Sequence, residues 1–218
     1  MKLIPRIGIF LALLTCALST LSAAEGDGWI SLFDGKTLSG WKANEAQEAW
    51  TVEDGCITVN GPFSHLFYLG PDGNATFSDF ELKVEMKAGP GTNSGIFFRV
   101  PAMEKAGKYL NGAYEAQIQN DGKNDCYTGG LWIRAPRTDP SPVKPDEWFE
   151  VHIIAIGDKV TLKINGETTC EYSKAIEKQG WMSHPASGYI ALQGHGPGHK
   201  PVFRKISIKP INNKESSK

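Results

Sequence analysis

Phe80-Glu81-Leu82-Lys83-Val84-Glu85-Met86-Lys87 decides the fold. Apolar and charged residues alternate one by one along it. Successive side chains of a strand point to opposite faces, so this stretch predicts a strand buried on one face and wet on the other. The pattern recurs. Val160, Leu162 and Ile164 alternate with Thr161 and Lys163, and Asn165-Gly166 follows. Both of those residues tolerate positive φ, which predicts a two-residue hairpin turn. Asp54-Gly55 and Asn60-Gly61 mark further turns, and Phe149 to Ile156 turns apolar on both faces toward its end, as a central strand does. About a dozen short strands at sandwich-like spacing predict an all-β fold, an antiparallel β-sandwich of the jelly-roll type. Only Ser173–Gln179 and Met103–Tyr109 read as helical, and both are short.

Composition agrees with that reading. Hydrophobic residues make up 40% and aromatics 10% of 218 residues, enough for a packed core. Glycine numbers 24, about 11% against a usual ~7%, so turns are abundant and long helices are not expected. Lys plus Arg is 23 and Asp plus Glu is 24. A net charge of −1 excludes a nucleic-acid binder that works by bulk positive charge.

The first 24 residues read as a secretory signal peptide rather than as part of the fold. Lys2 and Arg6 form a positive start, Ile7 to Leu21 is apolar, and Ser22-Ala23-Ala24 offers small residues for cleavage. The apolar stretch is shorter than the ~20 residues that span a bilayer. Cleavage after Ala24 leaves 194 residues, and loss of Lys2 and Arg6 takes the net charge to −3. The expectation is an exported chain, periplasmic or extracellular, with no membrane attachment. One β-sandwich domain then spans residues 25–211, with a polar tail at 212–218. Cys56, Cys126 and Cys170 remain; three is odd, so at least one is unpaired or bonded to another chain.

Alternation also sorts out candidate functional residues. Tyr114, Ala116 and Ile118 share one strand face and read as core. Ala113, Glu115, Gln117 and Gln119 share the other, a row of hydrogen-bonding groups. In the preceding run, Ile96, Phe98 and Val100 face one way and Gly95, Phe97 and Arg99 the other. Ala191, Gln193 and His195 share a face while Ile190 and Leu192 look inward. If these strands are neighbours, Arg99, Glu115, Gln117, Gln193 and His195 form one polar patch, with Trp132, Tyr127 and Trp181 at its rim. Planar polar groups bind hydroxyls and aromatic faces cover C–H surfaces, so the patch suits a sugar. The plainer alternative is the solvated face of a half-exposed antiparallel sheet.

Other constellations carry less. His195 and His199 have a spacing seen in metal sites, but two histidines do not complete a zinc shell, so no metal is predicted. Asp121, Asn124 and Asp125 offer oxygen atoms for a loop calcium, though a solvated turn explains them as well. The glycines at 89–95 precede a strand rather than a helix, which argues against a phosphate loop. No cofactor is expected. His65, His152 and His184 read as ordinary strand or loop histidines.

Seven segments in order resemble the 3-keto-disaccharide hydrolase family. They are Trp29-Ile30-Ser31-Leu32-Phe33-Asp34-Gly35-Lys36-Thr37-Leu38-Ser39-Gly40-Trp41, Trp50-Thr51-Val52-Glu53-Asp54-Gly55, Phe77-Ser78-Asp79-Phe80-Glu81-Leu82, Asn93-Ser94-Gly95-Ile96-Phe97-Phe98-Arg99, Gly112-Ala113-Tyr114-Glu115-Ala116-Gln117-Ile118, Leu192-Gln193-Gly194-His195-Gly196 and Val202-Phe203-Arg204-Lys205-Ile206-Ser207-Ile208. The resemblance covers about residues 28–210. Lys205 departs from it, since the family often has Asn there. The resemblance implies a concanavalin A-like lectin/glucanase sandwich and an enzyme acting on glycosides already oxidised at C3 of a sugar ring. A 3-keto group acidifies the C2 proton, so one base can start an elimination that expels the C1 substituent, and water addition completes a net hydrolysis. On that reading His195 or Glu115 is the base, and Arg99 stabilises the enolate oxygen. Asn93, Gln117 and Gln193 orient hydroxyls, with Trp132 as a further substrate contact. Arg204 is either a further site cation or a partner of Glu115. The expected partner is a small carbohydrate, and the competing reading is a non-catalytic, lectin-like binding module.

Overall fold

The computed structural model describes residues 27–103, 110, 112–122, 125–176 and 183–211. The stretch expected to be a signal peptide, the tail at 212–218 and most of the helix expected at Met103–Tyr109 fall outside those residues.

The strands are β1 (Ile30–Ser31), β2 (Trp41–Ala43), β3 (Trp50–Glu53), β4 (Cys56–Val59), β5 (Ser64–Tyr68), β6 (Phe80–Ala88), β7 (Asn93–Val100), β8 (Tyr114–Gln119), β9 (Trp148–Ile156), β10 (Lys159–Ile164), β11 (Glu167–Ser173), β12 (Tyr189–Gly194) and β13 (Pro201–Pro210). They form two antiparallel sheets. The larger runs β11-β10-β9-β6-β13-β4-β3, with β1 also paired to β13; the smaller runs β2-β5-β12-β7-β8. Most connections therefore cross between sheets, as in a jelly roll.

Period-2 burial builds the core. In β6, Phe80, Leu82, Val84, Met86 and Ala88 are fully buried, and the charged residues between them are not. They pack against Ile96, Phe98, Tyr114, Ala116, Ile118, Ile190 and Leu192 of the smaller sheet. Asn165 and Gly166 take φ of +51° and +86° and close the β10–β11 hairpin, as their sequence predicts. Of the helix expected at Ser173–Gln179, Ser173 instead ends β11 and Lys174–Ile176 form a 3₁₀ turn, while residues 177–179 lie outside the described residues. Cys56, Cys126 and Cys170 are buried, and no disulfide joins them to one another.

Two bulges break the alternation. On β7, Val100 pairs with Tyr189 and Phe97 with Ala191, so three steps of β7 match two of β12. On β13, Arg204 pairs with Glu85 and Ser207 with Lys83, again three steps against two. Each bulge holds a cation in the left-handed region, Arg99 at φ +51° and Lys205 at φ +47°. A bulge re-aims the side chains that follow it.

A second, smaller apolar cluster lies on the outer face of the five-stranded sheet. Phe67, Phe97, Val100 and Ala191 are buried there under Leu110 and Met103 from the segment after β7. Leu110 and Met103 thus cover one end of the face that carries the candidate site.

Candidate active site

The register of the five-stranded sheet assembles the site in rows. Gln193 of β12 lies opposite His65 of β5, and Gly95 of β7 opposite Gln117 of β8. The neighbouring row runs Phe67, Ala191, Phe97, Glu115. On the other side of the Gly95–Gln117 row, Asn93 faces Gln119, and His195 follows β12 directly. Alternation thus brings Glu115, Gln117, Asn93, Gln193 and His195 to one face. Trp132 joins them across β8. Its N–H donates to the Glu115 carbonyl at 2.9 Å, while the Gln117 N–H donates to the Gly130 carbonyl at 2.9 Å, so this short segment extends the sheet beside Glu115.

Glu115 is the one acidic residue in the five strands. Its carboxylate lies over Gly95, on ground that any Cβ at that position would take. No described side chain hydrogen-bonds it, and burial pushes its pKa up to about 8. Gln117 Nε2 donates to Asn93 Oδ1 at 3.1 Å, which orients both amides. Ser94, on the inner face, donates to the Gln193 carbonyl at 2.8 Å and locks β12 to β7 beneath the site.

Two further histidines, His199 and His65, belong to this cluster, the second read as ordinary in the sequence. The Asn93 N–H donates to His199 Nδ1 at 2.8 Å, so the His199 proton sits on Nε2. Its ring meets that of His195 edge-on, with centroids 4.8 Å apart, and His195 packs on Phe63 at 5.4 Å. His65 is fully buried among Phe63, Phe67 and Phe97. Burial, with His195 nearby, lowers its pKa to about 3, so it stays neutral, and neither ring nitrogen has a hydrogen-bond partner among the described residues. The spacing of His195 and His199 was a sequence signal; the place of His65 opposite Gln193 depends on register, which no local pattern encodes.

Arg99 does not join this face. The β7 bulge turns it inward, where it is 1% exposed. Its Nε donates to the Ser78 carbonyl at 2.8 Å, Nη1 to the Gly157 carbonyl at 2.7 Å and Nη2 to Asp79 at 3.2 Å. It clamps the start of β6 and the β9–β10 turn to the smaller sheet. Val100 takes the outward place expected for Arg99. Arg204 is likewise elsewhere. It pairs with Glu85 at 2.6 Å on the outer face of the eight-stranded sheet, on the far side of the sandwich from Glu115. Tyr127 donates to the Gly122 carbonyl at 2.7 Å, and Trp181 lies outside the described residues. Asp121 accepts the Gly91 N–H at 2.8 Å, and Asn124 is outside the described residues. Among the described residues no cluster of three or more His, Cys, Asp or Glu is arranged to hold a metal.

Residues 28–209 match the family described as the 3-keto-alpha-glucoside-1,2-lyase-like domain. A curated 3-keto-disaccharide hydrolase from Bacteroides thetaiotaomicron is 31% identical over 237 residues, an alignment that takes in 86% of this chain and 80% of that protein. Among solved structures, a Parabacteroides distasonis protein assigned as a glycosyl hydrolase superposes with a TM-score of 0.73 at 22% identity, over 85% of this chain and 94% of that one. The endo-beta-1,3-glucanase of Pyrococcus furiosus shares the fold at a TM-score of 0.53 and 13% identity, over 75% of this chain and 78% of its own. By the extent of the profile match and the identity to the hydrolase, the chain belongs to the family of 3-keto-alpha-glucoside-1,2-lyase-like domains.

Proposed function

We propose that this chain cleaves 3-keto-disaccharides and related 3-keto-glycosides by elimination across C1–C2 followed by hydration. Family membership and the likeness to a 3-keto-disaccharide hydrolase support a glycosidic-bond-cleaving enzyme. The single observation behind the finer reading is the lone desolvated carboxyl over Gly95. Ordinary retaining or inverting glycosidases use two carboxylates across the scissile bond. The five strands here offer one. A ketone at C3 removes the need for the second, because it lets a single base begin the reaction at C2.

Glu115 is assigned as that base. A carboxylate of higher pKa is a stronger base, and a value near 8 suits work close to neutrality. It takes the C2 proton and the C2–H electrons form the enolate toward the C3 oxygen; those electrons then make the C1–C2 double bond as the C1–O bond breaks, the C3 ketone is restored, and the leaving oxygen takes the proton back from Glu115 and departs as a sugar hydroxyl. Water then adds at C1 and a proton returns to C2. With Arg99 committed to the interior, neutral donors replace it at the enolate oxygen: the amides of Asn93, Gln117 and Gln193, with His195 and His199 beside them. Trp132 and Phe63 supply apolar surface for the sugar C–H groups. Export, supported by the Lys2–Ala24 stretch, is part of the same reading.

Product analysis tests this. The mature protein is incubated with 3-keto-trehalose and, separately, with trehalose. Cleavage of the keto-sugar alone is expected. Cleavage of trehalose at a similar rate overturns the keto requirement, and binding without cleavage of either marks a lectin-like module.

A further inference from the structure

His65 breaks the local pattern of β5. Phe63, His65 and Phe67 are alternate residues, so period 2 puts them on one face. The rings of Phe63, Phe67 and Phe97 surround the imidazole, with centroids 5.2, 6.5 and 4.9 Å from its own. The side chain is 0% exposed, and neither ring nitrogen has a hydrogen-bond partner among the described residues. Leucine or phenylalanine would fill such a pocket without burying an unpaired polar group. A local rule broken with no gain to the fold points to a functional position.

The matching need lies directly across the strand pair. Gln193 is opposite His65, and residues so paired have Cβ atoms about 4.5–5.5 Å apart on the same face. Gln193 Oε1 is shut away from solvent and also has no partner among the described residues. One group lacks an acceptor for its N–H and the other lacks a donor. Both backbones are held. The His65 N–H donates to Asn44 Oδ1 at 2.8 Å and its carbonyl accepts the Asn44 N–H at 3.0 Å, while the Gln193 carbonyl accepts Ser94 Oγ at 2.8 Å. What remains unset is the Gln193 amide. Asn93 and Gln117 orient each other, but Gln193 has no such neighbour other than His65. An amide serves a developing enolate only when its nitrogen, not its oxygen, faces the C3 oxygen.

We propose that His65 is a positioning residue for the reaction: with substrate bound, its ring N–H donates to Gln193 Oε1 and holds the Gln193 amide nitrogen toward the C3 oxygen. This rests on the elimination reading above. His65 touches no reacting atom and acts through Gln193. The free enzyme carries an unpaired imidazole so that the amide is set when charge develops at C3.

The test is steady-state cleavage of 3-keto-trehalose by the full mature protein, with melting curves alongside. His65→Leu is expected to lower kcat about 10- to 100-fold with KM within about threefold, because the contact matters where charge develops. The variant should melt no lower than the parent, so the loss is not a folding defect. His65→Asn and His65→Gln keep an N–H donor at the reach of Nδ1 and Nε2 respectively, and at least one should recover most of the lost kcat. In a Gln193→Met background, where the amide is gone, His65→Leu should change kcat by less than about threefold, since the two residues act as a unit. The inference is overturned if His65→Leu keeps the parent's kcat, if neither amide variant recovers it, or if the loss is the same with and without the Gln193 amide. A parent that leaves 3-keto-trehalose intact overturns the elimination reading itself, and this inference with it.

Discussion

Removing the Arg99 side chain should cost stability rather than chemistry. The guanidinium is 1% exposed and makes three hydrogen bonds: to the Ser78 and Gly157 carbonyls and to Asp79. Asp79 also accepts the Gly157 N–H at 2.9 Å, so it keeps one partner when Arg99 is lost. Arg99→Ala leaves two carbonyls unpaired, opens a cavity at the end of the sandwich and keeps the φ +51° backbone. Breaking a buried ion pair from one side costs ~3–5 kcal/mol. The exposed edge of Asp79, at 19%, places this case toward the lower half of that range. For a domain of this size each kcal/mol moves Tm by ~2–4 °C, so a fall of roughly 6–16 °C is expected. The assay is thermal unfolding beside steady-state cleavage of 3-keto-trehalose at 15 °C, where the variant is still folded. Specific activity should stay within about threefold of the parent, since no step of the reaction touches this side chain. Arg99→Lys reaches fewer acceptors and should fall between the two in Tm. A variant that melts within 2 °C of the parent yet loses activity a hundredfold would refute the placement and return Arg99 to the reaction.

Three further outcomes follow from the site. Gly95→Ala puts a methyl group where the Glu115 carboxylate lies, and should lower kcat by ~10- to 100-fold through misplacement of the base, with Tm nearly unchanged. An unaltered kcat would mean that Glu115 need not sit there. With Glu115 as base, kcat/KM should rise with pH and level off above about 8, and Glu115→Gln should lose ~10²–10⁴-fold; a profile that falls through 8 would make it an acid instead. The same raised pKa means that the folded state holds a proton which the unfolded state releases near 4.5. This contribution to stability is full below 4.5 and is lost as pH rises through about 8, and in Glu115→Gln that slope should vanish from the melting curves. His65→Leu removes two buried ring nitrogens without partners and should stabilise the fold by ~1–3 kcal/mol, read as a higher Tm; a lower Tm would show that the ring is satisfied in solution.

The sequence made the sandwich legible because its signals are local. Alternation in Phe80–Lys87 and the Asn165-Gly166 turn need only neighbouring residues, and both appear as read. The face carrying Glu115, Gln117 and Gln193 was legible for the same reason. Arg99 was misplaced because the period-2 rule assumes an unbroken strand, and the inserted residue that swaps Arg99 with Val100 leaves no mark in the sequence. Arg204, expected either as a further site cation or as a partner of Glu115, pairs instead with Glu85, a contact set by the β13–β6 register. His65 and His199 enter through contacts across 128 and 106 residues of chain, to Gln193 and Asn93, that no motif records. Gly95 was placed on the face with Phe97 and Arg99, but that its missing side chain leaves room for a neighbour's carboxylate depends on the β7–β8 register.

The elimination itself is open to one direct measurement. Cleavage of 3-keto-trehalose is run in D₂O, and the released 3-keto-glucose is examined by NMR and mass spectrometry against an enzyme-free control for spontaneous exchange. Removal of the C2 proton and its return after hydration should place one solvent deuterium at C2 in each turnover, and Glu115→Gln should abolish it. Cleavage with no deuterium at C2 beyond the control would mean direct displacement at C1, and the single-base account of this site would be wrong.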